Sequence, residues 1–462
     1  MSKNSYKEQN GRLENNKKII DILFNPNSVA VIGASKTPMK GGYRILENLI
    51  SNNFKGNIYP VNPKGGEALG LKFYKSVLDI PGQIDIAIIF IPNKFIPKVL
   101  EECIEKKIKA AIIQAAGFEE VGELGLELRD RIKKITENFS KIRIVGPNCT
   151  GLTRIDTSNS GFFSAFIKHF IYYRGSTAVI SQSGMLNGGY FTYLGTKYPD
   201  LGFRYIASIG NKMDLCETDF LYYFTNDPSV NVIAIYLESF KYPRDFISIC
   251  KEAFRKKNKT ILLLKGGLTH QGQKATSSHT GALSESIILS KALIKQSHII
   301  NVRNFHDLFN LSRVYSKFYK GQLIFPRSPN VGFITVSGGA GTVSTDLISK
   351  YGLKLSKLSE NTFQTLKEIF PTWMPPNRFS LIDLWPAIEN AGVDSNGIHK
   401  IAIEAILKDK KIDGLLMTLF HTQKFPFNID IIINFQKTYR KPIFCWLFGD
   451  FNEVQRIEPV LN

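Results

Sequence analysis

The chain alternates short apolar runs with longer amphipathic stretches, beginning near residue 28. Apolar runs of this length that end in glycine or polar residues are typical of buried parallel strands. The first series of runs consists of Ser28–Gly33, Asn57–Val61, Ile84–Ile91, Ala110–Ala115 and Ile142–Val145. Helical patterns separate these runs, for example Tyr43–Asn52. This alternation predicts βαβ units and a doubly wound parallel sheet.

The alternation restarts twice, which predicts three domains. The second series includes Ser176–Ile180, Val232–Leu237 and Thr260–Leu264, and the third begins at Asn330–Val336. A proline-bearing polar segment, Phe325–Pro329, precedes the third series, as expected for a domain boundary. We therefore predict an α/β protein with three doubly wound parallel-sheet domains. Their predicted ranges are 25–160, 161–318 and 319–462, after an N-terminal tail and short helix over 1–24.

Composition excludes few classes of protein. The 462 residues are 43% hydrophobic and 21% charged, which is ordinary for a globular protein. A net charge of +19 could indicate a nucleic-acid partner, but the lysines and arginines are spread along the chain rather than gathered into a stripe. We interpret the charge as solvated surface, which is compatible with an anionic ligand that carries several phosphates.

Cysteine spacing and the apolar runs bear on compartment. The five cysteines are far apart and form no C-x-x-C pair, which argues against a zinc site or disulfides. Residues 1–16 are polar and lack the apolar core of a signal peptide. No apolar run approaches the ~20 residues that span a bilayer. These features predict a soluble, cytoplasmic protein without a metal site and without a membrane or nucleic-acid partner.

Loops after the strands of the first series predict a nucleotide-like ligand. Small residues there let backbone amides approach a phosphate at a helix N-terminus. The spacing is not G-x-G-x-x-G, and a lysine stands where an acidic residue would hold an adenosine ribose. Glycine-rich turns also arise for structural reasons alone, so the signal lies in their combination. The candidate residues are Gly33, Ser35 and Lys36, then Val61 and Lys64, then Pro92 and Asn148.

The second series carries two candidate phosphate elements. Ser183 and Gly184 precede a stretch with Asn187–Gly189 that predicts a helix, although an ordinary N-cap explains the same residues. The polar stretch Ala275–Ala282 predicts a loop that contains His279. A histidine that accepts a phosphoryl group needs one free nitrogen and an acceptor on the other. Glu238, at the end of an interior strand, is the candidate acceptor.

The third series begins with another glycine-rich turn. Gly338, Gly339 and Gly341 follow a strand and open a helix, so bare amides would be available there. A phosphohistidine carries roughly two negative charges, which opposed helix N-termini would stabilise without a metal. A tight turn is the alternative interpretation.

Several segments together resemble the NDP-forming acyl-CoA synthetases, which include the ADP-forming acetyl-CoA synthetases and, more distantly, the α subunit of succinyl-CoA synthetase. In order they are V-A-V-I-G-A-S, Y-P-V-N-P-K, A-G-F-E-E (Ala116–Glu120), G-P-N-C-x-G, S-Q-S-G, S-I-G-N followed by Asp214, Y-L-E and S-S-H-T-G-A. The resemblance implies a Rossmann-like CoA-binding domain and two flavodoxin-like ligase domains. The N-P-x-D-L segment of the relatives is altered here, because the proline after Asn377 is absent although Asp383-Leu384 is kept.

The resemblance also implies roles for the candidate residues. Ser35, Lys36 and Lys64 would contact the phosphates or sugar of CoA, Val61 and Pro92 would line its path, and Asn148 would lie near the thiol. His279 would carry the phosphoryl group and Glu238 would orient it. The residues implied to hold the phosphate are Ser183, Gly184, Gly338, Gly339 and Gly341.

The implied function is that of an acid–thiol ligase. It would interconvert acyl-CoA, ADP and phosphate with acid, CoA and ATP through an acyl phosphate and phospho-His279. No segment resembles an ATP-grasp module, so ADP or ATP with Mg²⁺ would bind a separate ATP-grasp β subunit, for example in an α2β2 assembly. The alternative is a non-catalytic CoA-binding regulatory or sensor protein of the same fold. A nucleic-acid-binding protein is supported by charge alone.

Overall fold

The chain divides into two compact units, unit 1 over Met1–Lys317 and unit 2 over Phe318–Asn462. The computed structural model describes residues 3–157, 160–167, 173–184, 198, 200–280, 286–392 and 395–461, and only the backbone of residues 3–10 and 277–280. Among the helices of these ranges, none is long and apolar enough to cross a membrane.

Strands and helices alternate through both units, as the apolar pattern predicts. The described helices are α1 Lys3–Phe24, α2 Gly41–Ser51, α3 Ile96–Glu105, α4 Glu123–Ile135, α5 Glu217–Asn226, α6 Pro243–Arg255, α7 His270–Thr280, α8 Ile287–Gln296, α9 Phe305–Tyr319, α10 Gly338–Lys350, α11 Glu360–Ile369, α12 Trp385–Ala391, α13 Ser395–Lys408, α14 Asp430–Tyr439 and α15 Phe451–Leu461. The described strands are β1 Ser28–Ile32, β2 Asn57–Val61, β3 Glu67–Ala68, β4 Leu71–Lys72, β5 Ile86–Ile89, β6 Ala110–Ile113, β7 Arg143–Val145, β8 Leu152–Thr157, β9 Ser160–Phe163, β10 Arg174–Ser181, β11 Phe203–Ser208, β12 Val232–Leu237, β13 Thr260–Lys265, β14 Ile300–Val302, β15 Asn330–Thr335, β16 Lys354–Leu355, β17 Leu381–Asp383, β18 Gly414–His421 and β19 Ile443–Gly449.

The first sheet of unit 1 is parallel, with the order β2-β1-β5-β6-β7. Its interior strands β1, β5 and β6 are fully buried, because helices cover both faces. The strand order reverses at β1, so the loops after β1 and β5 diverge and leave a crevice between them. In open α/β sheets, ligands bind in the crevice at this reversal.

The second sheet of unit 1 has the order β14-β13-β12-β10-β11-β8-β9. Strands β10 to β14 are parallel, and the order reverses between β10 and β12. The antiparallel hairpin of β8 and β9 extends the sheet beyond β11. The chain thus presents a second crevice, lined by the loops after β10 and β12.

The sheet of unit 2 is parallel as well. Its order is β16-β15-β18-β19. β17 also pairs with β15, at residues of β15 that follow those paired with β16. The core lies between the sheet and α11 to α14, with Ile334, Leu366, Ile403 and Leu415 among its buried residues. The order reverses between β15 and β18, where β15 leads into α10.

The prediction for the N-terminus was wrong in extent. Only a short helix from about Lys17 is predicted there, but α1 runs from Lys3 to Phe24. Arg12 and Asn16 both donate to the Asp219 carboxylate, over 2.7 and 2.8 Å. Tertiary pairing therefore stabilises a helix whose polar composition does not predict one.

One ion pair joins the first sheet to the second. The guanidinium of Arg143, on β7, donates two hydrogen bonds to the Asp214 carboxylate, over 2.8 and 2.7 Å. The backbone N–H of Ile144 also donates to Asp214, over 2.9 Å. The side chains are 21% and 7% exposed, so water screens this bidentate pair poorly. The segment after Ser208 is thereby held along β7.

We predict that Arg143→Ala lowers the free energy of unfolding of unit 1 by about 2–3 kcal/mol, because it leaves the Asp214 carboxylate buried without its partner. Urea denaturation followed by circular dichroism measures the change. The unfolding transition that tryptophan fluorescence reports should be the same in wild type and variant, because all three tryptophans lie in unit 2.

Lys141→Ala is the matched control. Lys141 lies two residues before Arg143, and its substitution removes only an exposed ion pair with Glu137. Such pairs contribute about 0.2–1 kcal/mol. Equal effects of the two substitutions would show that the Arg143–Asp214 pair does not anchor the sheets.

Candidate functional site

The crevice of the first sheet begins where β1 meets α2. Gly33 has a φ of 96°, and a Cβ atom there would overlap the carbonyl oxygen of Phe90. A Cβ atom at Gly42 would in turn overlap the carbonyl oxygen of Gly33. The absence of side chains thus lets the start of α2 approach the end of β1, which leaves backbone amides at the crevice floor.

Two lysines lie on neighbouring loops of this crevice. The Asn62 side chain links the loops, because its Nδ2 donates to the carbonyl of Ala34 over 2.8 Å and its Oδ1 accepts from the N–H of Lys64 over 2.9 Å. The aliphatic part of Lys36 lies directly against Gly66. Both ammonium groups therefore belong to one rim of the crevice, where they can pair with anionic groups. Ser35 lies on the same loop and accepts from the N–H of Thr37 over 3.1 Å.

The structure places Val61 and Pro92 differently from each other. Pro92 is exposed and opens the short turn after β5, at the opposite side of the strand reversal. Val61 is 3% exposed and packs in the core. Its carbonyl accepts from the N–H groups of Gly33 and Ala34, over 3.0 and 3.2 Å. Val61 therefore shapes the loop after β1 through its backbone.

Asn148, after β7, connects the two sheets of unit 1. Its Nδ2 donates to Oδ1 of Asn211 over 3.3 Å, and the Nδ2 of Asn211 donates to Glu120 over 2.7 Å. The other carboxylate oxygen of Glu120 accepts from the N–H of Gly117 over 2.6 Å. Glu120 and Asn211 occur in segments that carry the family resemblance, but the sequence indicates no role for either side chain.

The loop after β10 lies beside the same region. Ser181 Oγ accepts from the N–H of Ser183 over 3.1 Å and donates to its carbonyl over 2.8 Å, which fixes the turn. The methyl group of Thr150, in the loop after β7, lies against Gly184. Ser183 and Gly184 therefore adjoin the loop that carries Asn148. The predicted helix start at Asn187–Gly189 lies outside the described residues.

Glu238 follows β12, across the strand reversal from this loop. The side-chain oxygen of Gln182 accepts from the N–H groups of Glu238 and Ser239, over 2.7 and 3.1 Å. Burial and the nearby Glu238 carboxylate raise the pKa of Tyr236, whose neutral hydroxyl donates to that carboxylate over 3.1 Å. The Lys265 ammonium donates to the carbonyl of Glu238 over 2.7 Å. These contacts hold a buried carboxylate at the crevice.

The prediction that His279 lies in a loop was wrong for its backbone. Residues 270–280 form α7, which begins where Thr269 Oγ1 accepts from the N–H of Gly272 over 3.0 Å. The side chain of His279 lies outside the described part of the chain. Small polar residues have modest helix propensity, but a capped first turn satisfies the free amides and allows the helix to form.

The turn that leads into α7 lies close to Glu238. A Cβ atom at Gly266 would lie 3.6 Å from Cγ of Glu238, and one at Gly267 would lie 3.2 Å from Oγ1 of Thr276. The helix also contacts the turn Glu119–Val121 of the first domain. The segment that carries His279 thus borders both crevices.

The glycine-rich turn of unit 2 is the start of α10. Ser337 caps this helix by accepting from the N–H of Ala340 over 3.4 Å, and it is itself held by Thr335. Gly338, Gly339 and Gly341 occupy the first turn, so their amides lie at the positive end of the helix dipole. That this turn faces His279 stays a prediction.

Cys149 adjoins Asn148 but is not a candidate nucleophile. Its side chain is 2% exposed, and burial raises its pKa to about 12. The thiol donates to the carbonyl of Ile113 over 3.3 Å. At neutral pH it remains a thiol, whereas a nucleophilic cysteine requires a thiolate.

Comparison with protein-family models assigns two segments of unit 1 to known classes of domain. The family model of the CoA binding domain matches residues 27–154. The model of the succinyl-CoA ligase-like flavodoxin domain matches residues 174–315. The crevice with the lysine rim thus lies in a CoA-binding-type domain, and the crevice with Glu238 lies in a ligase-type domain.

Whole-chain relatives define the family. The acetate–CoA ligase [ADP-forming] II subunit alpha of Pyrococcus furiosus is 36% identical over 353 residues, which are 76% of this chain and 74% of the relative. The structure of the dinucleotide forming acetyl-coenzyme A synthetase 1 of Ca. Korarchaeum cryptofilum, in complex with phosphate and ADP, has a TM-score of 0.79 at 30% identity and covers 96% of this chain and 91% of its own. The chain belongs to the family of ADP-forming acyl-CoA synthetases, and the resemblance drawn from its sequence is confirmed.

Some relatives are longer than this chain. The acetate–CoA ligase [ADP-forming] II of Archaeoglobus fulgidus is 35% identical over 427 residues, which are 92% of this chain but 61% of the relative. The match to the acetate–CoA ligase [ADP-forming] of Methanocaldococcus jannaschii covers 46% of that protein. The chain therefore spans about half to two thirds of these relatives.

We predict that Gly33→Ala destabilises unit 1 by about 2 kcal/mol or more, because alanine resists a positive φ and its methyl group overlaps the Phe90 carbonyl. Urea denaturation followed by circular dichroism measures the loss. Gly65→Ala is the control, because Gly65 also has a positive φ, 61°, but a Cβ atom there meets no atom within 4 Å. Strain at that site should cost about 1 kcal/mol, and equal losses would contradict the close approach at Gly33.

Proposed function

We propose that this chain is the α-type subunit of an ADP-forming acyl-CoA ligase and that His279 carries the phosphoryl group. Phosphate attacks the thioester carbon of a bound acyl-CoA, which releases CoA and leaves an acyl phosphate. His279 then takes the phosphoryl group and the carboxylic acid leaves. ADP removes the phosphoryl group to form ATP, and the reverse sequence makes the thioester. Covalent transfer through histidine divides one difficult step into easier ones.

The observation that supports this proposal is the adjacency of the two crevices within unit 1. Thr150, in the loop after β7, lies against Gly184; the turn that leads into α7 lies against Glu238, and α7 contacts the turn Glu119–Val121. A thioester whose CoA arm lies in the first crevice would therefore present its carbonyl near the second. Such proximity converts an encounter between separate molecules into a reaction within one complex.

In this proposal, the phosphates or sugar of CoA are bound by Lys36, Lys64 and Ser35. The backbone amides that follow Gly33 contribute to the same binding. Ser183 and Gly184 bind inorganic phosphate through the hydroxyl of Ser183 and the backbone amide of Gly184, since the N–H of Ser183 is already engaged by Ser181 Oγ. Glu238 accepts from one imidazole nitrogen of His279, which leaves the other nitrogen free as the nucleophile. Gly338 and Gly339 supply a second set of amides for the phosphoryl group, and Gly341, whose N–H donates to the Ser337 carbonyl over 2.9 Å, leaves the approach to them open.

We further propose that nucleotide and Mg²⁺ bind to a separate ATP-grasp β subunit, in an assembly such as α2β2. The naming of the Pyrococcus furiosus relative as a subunit alpha supports this division. The α-type chain alone then suffices for the first two steps, and only ATP formation needs the partner. This separation allows the two halves of the reaction to be tested independently.

The test of the histidine uses the purified chain with radiolabelled phosphate and short-chain acyl-CoA esters, without nucleotide. We expect an acid-labile, base-stable phosphoprotein, as phosphohistidine gives. His279→Ala should abolish the label, and Glu238→Gln should slow its formation roughly 10²-fold, because the imidazole loses its negatively charged acceptor.

His270→Ala is the matched control, because His270 is the first residue of the same helix and is exposed. It should leave the label unchanged. Label that persists in His279→Ala would eliminate the relay. A wild-type chain that binds CoA but neither becomes labelled nor forms ATP with an ATP-grasp subunit would instead be a CoA-binding regulatory protein.

A further inference from the structure

The polar network at the end of the first crevice has a fixed direction. An ionised glutamate has only acceptor oxygens, whereas an asparagine amide has a donor end and an acceptor end. Glu120 accepts from the N–H of Gly117, so its second oxygen must also accept, and Asn211 must turn its Nδ2 toward it. The Oδ1 of Asn211 then faces Asn148 and can only accept. Asn148 must therefore turn its Nδ2 toward Asn211, where one of its two N–H groups is used, and its Oδ1 away.

Asn148 therefore offers an acceptor to a ligand. Its Oδ1 accepts no hydrogen bond from any residue in the described part of unit 1. Asn93, two strands away in the same sheet, is oriented alike, because its Nδ2 donates to the carbonyl of Gly117 over 2.6 Å. The loops after β5 and β7 thus both carry a side-chain amide whose orientation is fixed by a bond from Nδ2 and whose oxygen remains available.

The lysines at the other end of the crevice differ from these amides, because an ammonium group is positively charged and only donates hydrogen bonds. Following the sheet order from β2 to β7, the loops carry Lys64, Lys36, Asn93 and then Asn148. Four strand spacings of ~4.8 Å separate the first from the last, about 19 Å in all. Lys64 and Lys36 thus lie toward one end of this series, and the side-chain amides of Asn93 and Asn148 lie toward the other.

We infer that Glu120, acting through Asn211, fixes Asn148 as a hydrogen-bond acceptor for an N–H or S–H donor of the pantetheine arm of CoA. This inference rests on the proposed function. The arm carries secondary amides and ends in a thiol, whereas the acid and phosphate substrates are rich in acceptors, which an amide oxygen repels. Asn148 therefore binds the CoA arm rather than the acyl oxygen, and Glu120 is a positioning residue.

Glu120→Gln tests the inference because it reverses the donor and acceptor roles in the hydrogen bonds that join residue 120 to Asn211 and Asn211 to Asn148. The N–H of Gly117 still donates to the one oxygen that the substituted side chain keeps, so the new amide nitrogen donates to Asn211. Both asparagines then rotate, and Asn148 presents Nδ2 to a ligand donor. We expect the Kd of CoA, measured calorimetrically on the full chain, to rise about tenfold, as for a lost hydrogen bond with an unpaired donor.

Glu119→Gln is the matched control, since Glu119 pairs with Arg129 outside the network and its substitution should leave the Kd unchanged. Asn148→Gly removes the amide while suiting the local φ of 55°, and it should also weaken binding. In its presence Glu120→Gln should have no further effect, because the two residues act through one contact. Desulfo-CoA distinguishes the donors: a Glu120→Gln effect that persists assigns the amide N–H, and one that disappears assigns the thiol.

Two results would overturn the inference while leaving the proposed function intact. One is a folded Glu120→Gln chain that binds CoA as tightly as wild type. The other is a double variant in which the increases in the Kd of CoA caused by Glu120→Gln and by Asn148→Gly multiply. That result would show that the two residues act independently. A wild-type chain that binds no CoA would overturn both the inference and the proposed function.

Discussion

The arrangement of both crevices depends on the contact between β7 and the segment that leads to Asp214. β7 is the edge strand of the first sheet, and this segment runs beside it in the opposite direction. The N–H groups of Leu215, Met213 and Asn211 donate to the carbonyls of Ile144, Gly146 and Pro147, over 3.1, 2.9 and 2.9 Å. The bidentate Arg143–Asp214 pair closes one end of this ladder. Because the loop after β7 carries Asn148 and Thr150, the same contact determines where both crevices lie.

Buried ammonium groups give the second crevice its rigidity. Lys241 donates to the carbonyls of Lys212, Met213 and Asp214, and burial lowers its pKa. Lys212 donates to the carbonyl of Ser239 over 2.7 Å, and Lys265 donates to that of Glu238. A buried charge is costly unless it is hydrogen-bonded, so each lysine permits few alternative conformations of these turns. The turns around Glu238 are therefore organised before any ligand binds.

Hydrophobic periodicity predicts the sheets well, because buried parallel strands are continuous apolar runs. It gives β2 and β12 with the bounds that the structure has. It fails for α1, where Arg12 and Asn16 are stabilised by Asp219 from a distant helix, and for α7, whose small polar residues resemble a loop. Tertiary contacts decide α1, whereas a local cap at Thr269 allows α7 to form. In the candidate site, the motifs locate Gly33, Lys64 and Asn148, but Glu120 and Asn211 gain their roles only from hydrogen bonds between domains.

The division of charge along the first crevice has a consequence for the proposed catalysis. If lysines provided the binding energy beside the reacting carbonyl, they would stabilise the ground-state phosphate and the acyl phosphate alike, which lowers KM without raising kcat. In the proposal, the loops of Lys36 and Lys64 lie about 14 and 19 Å from that of Asn148 along the sheet edge, which confines that binding energy to the remote phosphates of CoA. The neutral acceptors near Thr150 then leave the amide of Gly184 and the hydroxyl of Ser183, together with Glu238, as the groups whose contacts can change during phosphoryl transfer. Remote binding and local chemistry are thereby separated on one sheet edge.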